Sequence, residues 1–163
     1  MKAFEDFPIA LSAIALVVLL GGVATLVLAT ADGSADRVVL QPEDPQIVAL
    51  GAGIYTDNCA ACHGAALQGE PDWKLPGPDG LLPAPPHDET GHTWHHDSDT
   101  LFRVTKYGVA KLIEDPTYQS NMPVYEDVLT DAEINAVLSY IKSTWPQHIR
   151  VRHDEMEKLQ RGG

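Results

Sequence analysis

The chain has 163 residues and a formal net charge of −12, so it has room for one domain of ordinary size and a smaller segment. Between residues 40 and 146, five basic residues stand against sixteen acidic ones. An acidic surface of this kind does not bind nucleic acid or anionic lipid by charge. We therefore expect no nucleic-acid partner.

The first predicted element is an apolar segment from Pro8 to Ala29 that contains no charged residue. A helix of this length would be about 33 Å long, enough to cross the hydrocarbon core of a bilayer. A cleaved signal peptide is the alternative, since residues 29–31 resemble a cleavage site, but its apolar region would be shorter. We predict an uncleaved transmembrane anchor over residues 1–30, followed by a linker over residues 31–44.

A helix is predicted next, from Pro45 to about Asn58. Asp44 can cap its first turn, and proline fits the first helical position. The apolar residues expected on one face of this helix are Ile47, Leu50 and Ile54.

The two cysteines of the chain lie in Cys59-Ala60-Ala61-Cys62-His63, which is the C-x-x-C-H signature of c-type haem attachment. Two thiols three residues apart at a helix end can reach the two vinyl groups on one edge of a porphyrin, and the next residue can bind the iron. A thioredoxin-like redox pair would need a βαβ context, and a zinc site would need two further ligands. The motif favours haem.

From Gly64 to Asp97 the chain carries too many prolines and glycines for a long helix or a central strand. A loop of this length in a small domain needs something to fold around, and a haem would supply it.

Two further helices complete the predicted domain. The first runs from Ser98, its expected cap, to Tyr107 before Gly108, with Leu101, Phe102 and Val104 inward. In the second, Thr130 and Glu133 form a capping box, and Pro146 ends the helix. Its apolar residues at helical spacing are Ile134, Val137, Leu138, Ile141 and Trp145, with Leu129 and Ile134 as a hydrophobic staple.

No segment alternates like a strand, so we predict a small all-α domain over residues 45–146. The remaining residues, 147–163, form a charged C-terminal tail. Asp154 with Lys158, and Glu157 with Arg161, have i,i+4 spacing, so a short exposed helix is expected there.

Residues 45–146 resemble the class I cytochrome c family. In that family a glycine eight residues before the first cysteine and an aromatic residue four before it pack the first helix on the last, and these are Gly51 and Tyr55 here. In the last helix, Leu138, Tyr140 and Ile141 match the apolar–aromatic pattern of the family. Gly64 follows the haem histidine, as it does in the family. The resemblance implies one haem c, covalently bound through Cys59 and Cys62, with His63 as the proximal axial ligand.

The sixth ligand of the iron is expected to be Met122. Met1 lies across the anchor from the domain and Met156 lies in the tail, whereas Met122 lies in a loop followed by Pro123 that resembles the methionine–proline ligand loop of the family. Histidine and methionine together close both axial positions, so the iron would pass electrons rather than bind oxygen.

The resemblance implies other roles less strongly. The family uses a proline carbonyl to accept the second N–H of the proximal histidine. Pro83, Pro85 and Pro86 are candidates, and Pro85 is favoured. Three further residues could line the haem edge or the propionates, or serve only as packing or surface: Trp73, Trp94 and Arg103.

The sequence departs from the family pattern in four clustered histidines, His87, His92, His95 and His96. They could bind copper or zinc, or one could replace Met122 on the iron. The alternative is that they bind propionates, cap a helix or face a partner.

The expected function is that of a membrane-tethered c-type cytochrome, an electron carrier rather than an enzyme. Haem is attached after export, so we expect a single-pass protein of the bacterial inner membrane with a cytoplasmic N-terminus and a periplasmic haem domain. The expected partners are membrane redox complexes, with a cytochrome bc complex as donor and a terminal oxidase or photosynthetic reaction centre as acceptor.

Two other functions stay open. The chain could be the haem subunit of a multi-chain membrane oxidoreductase, or a haem sensor or metal-handling protein built on the histidines. Gly21, Gly22 and Ala24 offer the small-residue surface that helix–helix contacts prefer in membranes, so we expect a subunit of a larger membrane assembly.

Overall fold

Helices are the regular elements of residues 38–161, the part of the chain that the computed structural model describes, and no strand occurs there. This confirms the all-α prediction. The helices are α1 (Pro45–Asn58), α2 (Ala60–His63), α3 (Ser98–Tyr107), α4 (Val109–Leu112), α5 (Asp131–Thr144) and α6 (Gln147–Arg161), with a 3₁₀ helix at Thr93–His95.

The predicted anchor over residues 1–30, with Gly21, Gly22 and Ala24, lies outside the described residues and stays a prediction. Within residues 38–161, no helix is both long enough and apolar enough to cross a bilayer.

Helix α1 begins and ends where the sequence predicts. The Asp44 carboxylate accepts hydrogen bonds from the backbone N–H groups of Gln46, at 2.8 Å, and Ile47, at 3.2 Å. Its buried face differs from the prediction, because Leu50 is 49% exposed. Ile54 is buried as predicted, together with Gly51 and Tyr55. The prediction for Leu50 was wrong because it considered only the spacing of apolar residues. It did not consider that Gly51 allows another helix to pack very closely on its own face of α1.

Helices α1 and α5 cross at Gly51. A Cβ atom at this position would lie only 2.0 Å from the carbonyl oxygen of Ala136, so the helix backbones touch. Next to the crossing, the Tyr55 and Tyr140 rings pack with centroids 5.5 Å apart. The predicted packing of the first helix on the last is confirmed.

The predicted N-terminal cap is confirmed at α5 and wrong at α3. At α5, Thr130 and Glu133 form the predicted capping box. At α3, the cap is Asp97 and not Ser98: the Asp97 carboxylate accepts from the Thr100 backbone N–H at 2.8 Å. Both residue types cap well, and Ser98 is instead the first helical residue, whose N–H donates to Glu157 Oε1 at 2.6 Å.

Both flanks of the predicted 45–146 domain pack on it. Leu40 joins the core, and the Gln41 N–H donates to Ser139 Oγ at 2.9 Å. The C-terminal tail forms α6, which was expected to be exposed, but its Ile149 and His153 are buried.

One predicted ion pair of the tail is replaced by a longer-range one. Asp154 lies 2.6 Å from Lys142 of α5 and not on Lys158 of its own helix. The Asp154 carboxylate therefore pairs with the buried Lys142 of α5. Spacing along one helix could not predict a pair between two helices.

Candidate haem site

The two cysteines lie at the junction of α1 and α2. The Cys59 N–H donates to the Tyr55 carbonyl at 2.9 Å, so Cys59 ends α1 and α2 starts directly after it. Neither cysteine forms a disulfide. Burial raises the pKa of the Cys59 thiol to about 11, whereas the Cys62 side chain lies at the surface. Both sulfurs are therefore available for thioether bonds, one of them at a solvent-facing edge.

His63 is buried and held in one orientation. Its Nδ1 lies 2.8 Å from the Pro85 carbonyl oxygen. A carbonyl only accepts, so Nδ1 carries the proton and Nε2 keeps a lone pair. Desolvation lowers the pKa of His63, although the Pro85 hydrogen bond and Glu70 oppose this shift. A neutral imidazole with a lone pair on Nε2 is the form that binds a metal.

Pro85 is held by the loop that precedes α3. The Glu70 backbone N–H donates to the Ala84 carbonyl at 2.9 Å, and the Ala84 N–H donates back to the Glu70 carboxylate at 2.7 Å. The His87 N–H donates to the Leu67 carbonyl at 2.8 Å. These bonds join residues 67–70 to residues 84–87, and of the three candidate prolines it is Pro85 whose carbonyl faces His63.

His87 is part of this site, which the sequence did not predict. Its ring stacks on the His63 ring with centroids 4.0 Å apart and an angle of 24° between the planes. Burial lowers the pKa of His87 well below its ordinary value, and His63 and His92 lower it further. Its position two residues after Pro85 was the signal that could have placed it beside His63.

The Met122 loop is attached to the domain next to the cysteines. Met122 is half-buried against the hydrophobic core. Its N–H donates to Ser120 Oγ at 3.1 Å, and Asn121 Nδ2 donates to Asp79 at 3.3 Å. The Tyr125 hydroxyl donates to the Asn58 carbonyl at 2.8 Å, one residue before Cys59. The role of Met122 as iron ligand stays a prediction.

The three weaker candidates have other partners or lie at the surface. Trp73 stacks on His92 at 5.1 Å and Trp94 stacks on His95 at 3.7 Å. Arg103 is exposed on α3. Within the described residues, none of the three makes a ring contact or hydrogen bond to His63, so their haem-lining roles stay predictions.

The four histidines do not converge. His87 faces His63, His92 and His96 meet edge to face at 5.4 Å, and His95 lies on Trp94. Across residues 38–161, no group of three or more His, Cys, Asp or Glu side chains is placed to hold a metal ion.

Comparison with known proteins decides the family. Residues 48–145 match the family described as Cytochrome c, which is more than half of the chain. The chain belongs to the cytochrome c family. Members of this family bind haem c covalently, and Cys59, Cys62 and His63 of this cytochrome fit the attachment motif. The unpaired thiols and the neutral His63 imidazole fit the same group.

Two curated proteins are similar to this cytochrome. The Cbb3-type cytochrome c oxidase subunit FixP of Sinorhizobium medicae (strain WSM419) is 24% identical over 111 residues, which cover 68% of this chain and 35% of FixP. The nitrite reductase of Stutzerimonas stutzeri is 27% identical over 132 residues, which cover 77% of this chain and 20% of that protein. The chain thus spans about a third and a fifth of these relatives. No solved structure matches it.

Proposed function

We propose that this chain is a membrane-tethered c-type cytochrome that transfers single electrons between membrane redox complexes, with His63 and Met122 as axial ligands. The observation that carries the proposal is the placement of His63, which is buried and hydrogen-bonded through Nδ1 to the Pro85 carbonyl. Haem c supplies an iron that accepts one electron and later releases it. Cys59 and Cys62 would hold the haem, and His63 and Met122 would occupy both axial positions of its iron.

The distal assignment is supported by the placement of the alternatives. A sixth ligand would have to approach the iron from the side opposite His63. His87 stacks on the His63 ring and therefore lies on the proximal side. His92 and His95 are engaged with Trp73 and Trp94. Met122 is half-buried, uncharged and next to Pro123, which stiffens its loop.

Exposure at the attachment motif supports electron transfer. Ala61 and Cys62 are exposed while His63 is buried. The thioether edge of the haem would then lie at the surface, where an electron can cross to a partner, and the iron would stay away from water.

A membrane location is supported by the uncharged segment from Pro8 to Ala29. We propose that it is a single span of the bacterial inner membrane, with the N-terminus cytoplasmic and the haem domain periplasmic. Tethering keeps the domain at high effective concentration near its partners, so an acidic surface need not attract them over long distances. The proposed donor is a cytochrome bc complex, and the acceptor a terminal oxidase or photosynthetic reaction centre.

Carbon monoxide tests the electron-transfer function. The full chain is purified in mild detergent, reduced, and exposed to carbon monoxide. With both axial positions closed, its absorption spectrum should stay that of low-spin iron(II), whereas Met122→Ala should bind the gas. Binding by the wild type would contradict the proposal and favour a sensor.

A second candidate function is that of a haem subunit in a multi-chain membrane oxidoreductase. It is favoured by FixP, which is named as a subunit of a cytochrome c oxidase. Native electrophoresis of detergent-solubilised membranes with haem staining separates the two functions. A band that contains stoichiometric partner chains supports the subunit, and Gly21→Leu with Gly22→Leu should then release it with haem intact. A band that contains this chain alone supports a tethered shuttle.

A further inference from the structure

The face of the proximal imidazole is covered by a second imidazole. The His87 ring lies 4.0 Å from the His63 ring and within 24° of parallel. The hydrogen bond from His63 Nδ1 to Pro85 restrains one edge of the ring, but such bonds tolerate tens of degrees of misalignment. The stacked His87 ring restricts the tilting of the His63 ring that this hydrogen bond still allows.

His87 is itself held at three points. Its N–H donates to the Leu67 carbonyl and its carbonyl accepts from Trp145 Nε1, both at 2.8 Å. Its Nδ1 lies 2.8 Å from the hydroxyl oxygen of the buried Thr93. The Thr93 hydroxyl donates to the Pro86 carbonyl at 3.3 Å, so His87 Nδ1 is the donor to Thr93. The backbone bonds fix the position of His87, and the Thr93 bond fixes the rotation of its ring.

We propose that His87 is a positioning residue. Together with Thr93, it fixes the orientation of the imidazole plane of His63, the proposed proximal ligand of the haem iron. The inference rests on the proposed function, because it requires His63 to be the proximal ligand. It goes further by assigning a task to two residues that the C-x-x-C-H motif does not include.

The alternative is that His87 only fills space. Packing needs volume, whereas positioning needs a flat ring whose rotation is fixed. Four substitutions separate the two. His87→Leu keeps a similar volume without the flat ring, and His87→Phe keeps the flat ring without the hydrogen bond. Thr93→Val keeps the shape without the hydroxyl, and Thr93→Ser keeps the hydroxyl.

The readout is the pattern of haem-methyl proton shifts in the NMR spectrum of the oxidised full chain, which depends on the orientation of the axial imidazole plane. His87→Leu and Thr93→Val should change this pattern, whereas Thr93→Ser should keep the wild-type pattern and His87→Phe should lie closer to it than His87→Leu. His95→Leu is the matched control, because His95 lies in the same loop and stacks on Trp94.

An unchanged pattern in Thr93→Val would overturn the inference, and so would the same change in His95→Leu. If His87→Leu fails to retain haem, Thr93→Val and Thr93→Ser decide alone. A wild-type chain without covalent haem would instead contradict the proposed function, so the two failures are distinguishable.

Discussion

Gly51→Ala should destabilise the haem domain strongly, because it adds an atom where α1 and α5 touch. The new Cβ would lie 2.0 Å from the Ala136 carbonyl oxygen and 2.8 Å from the Tyr140 Cβ, where ordinary contact needs 3.4 Å or more. The nearest obstacle is backbone, so no side-chain rotation relieves it. The helices must separate, and because overpacking costs about 1–3 kcal/mol, we expect a loss near the upper end, about 3 kcal/mol.

Gly53→Ala is the matched control on the same helix. A Cβ at this position meets no atom within 4 Å. Alanine is favoured over glycine in a helix interior by about 0.5–1 kcal/mol, so this variant should be more stable than the wild type. Urea titrations followed by far-ultraviolet circular dichroism would measure both free energies of unfolding. Equal midpoints for the two variants would refute the close crossing of α1 and α5.

Three further predictions concern the haem and α6. Cys59→Ser with Cys62→Ser should abolish covalent attachment, and haem colour that acid–acetone extracts from the wild type would contradict it. Met122→Ala should lose the near-infrared band of sulfur–iron(III) ligation and lower the reduction potential, because the thioether favours iron(II); an unchanged spectrum would refute the ligand. Burial and Lys142 lower the pKa of His153 below 6.5, so unfolding binds a proton and stability should fall as pH drops below that value. His153→Phe should flatten this dependence in urea titrations, and an equally steep slope would count against it.

Features set by neighbouring residues could be predicted from the sequence. Asp44 and Pro45 define the start of α1, and Thr130 with Glu133 defines that of α5, because each cap is a bond between residues at most three positions apart. The C-x-x-C-H motif is equally local. At α3, Asp97 and Ser98 are adjacent good caps, so local reasoning could not choose between them.

Features set by distant residues could not be predicted. Helix α6 buries Ile149, His153 and Glu157, and only the first of these is apolar. His153 and Glu157 can be buried because each has a partner elsewhere in the chain. His153 contacts Lys142 of α5, and Glu157 accepts a hydrogen bond from the Ser98 N–H. The stack of His87 on His63 also joins residues far apart in sequence, and only the position of His87 two residues after Pro85 pointed to it.

The long loop from Gly64 to Asp97 is expected to fold around haem, and contacts within the protein also order it. Leu67 is buried in the core, and its carbonyl accepts from the His87 N–H. Trp145, which follows α5, donates through Nε1 to the His87 carbonyl. Each of these bonds restricts the conformational freedom of the loop. The loop beside His63 is therefore held by bonds to Leu67 and Trp145, whereas Cys62 lies exposed and Met122 half-buried.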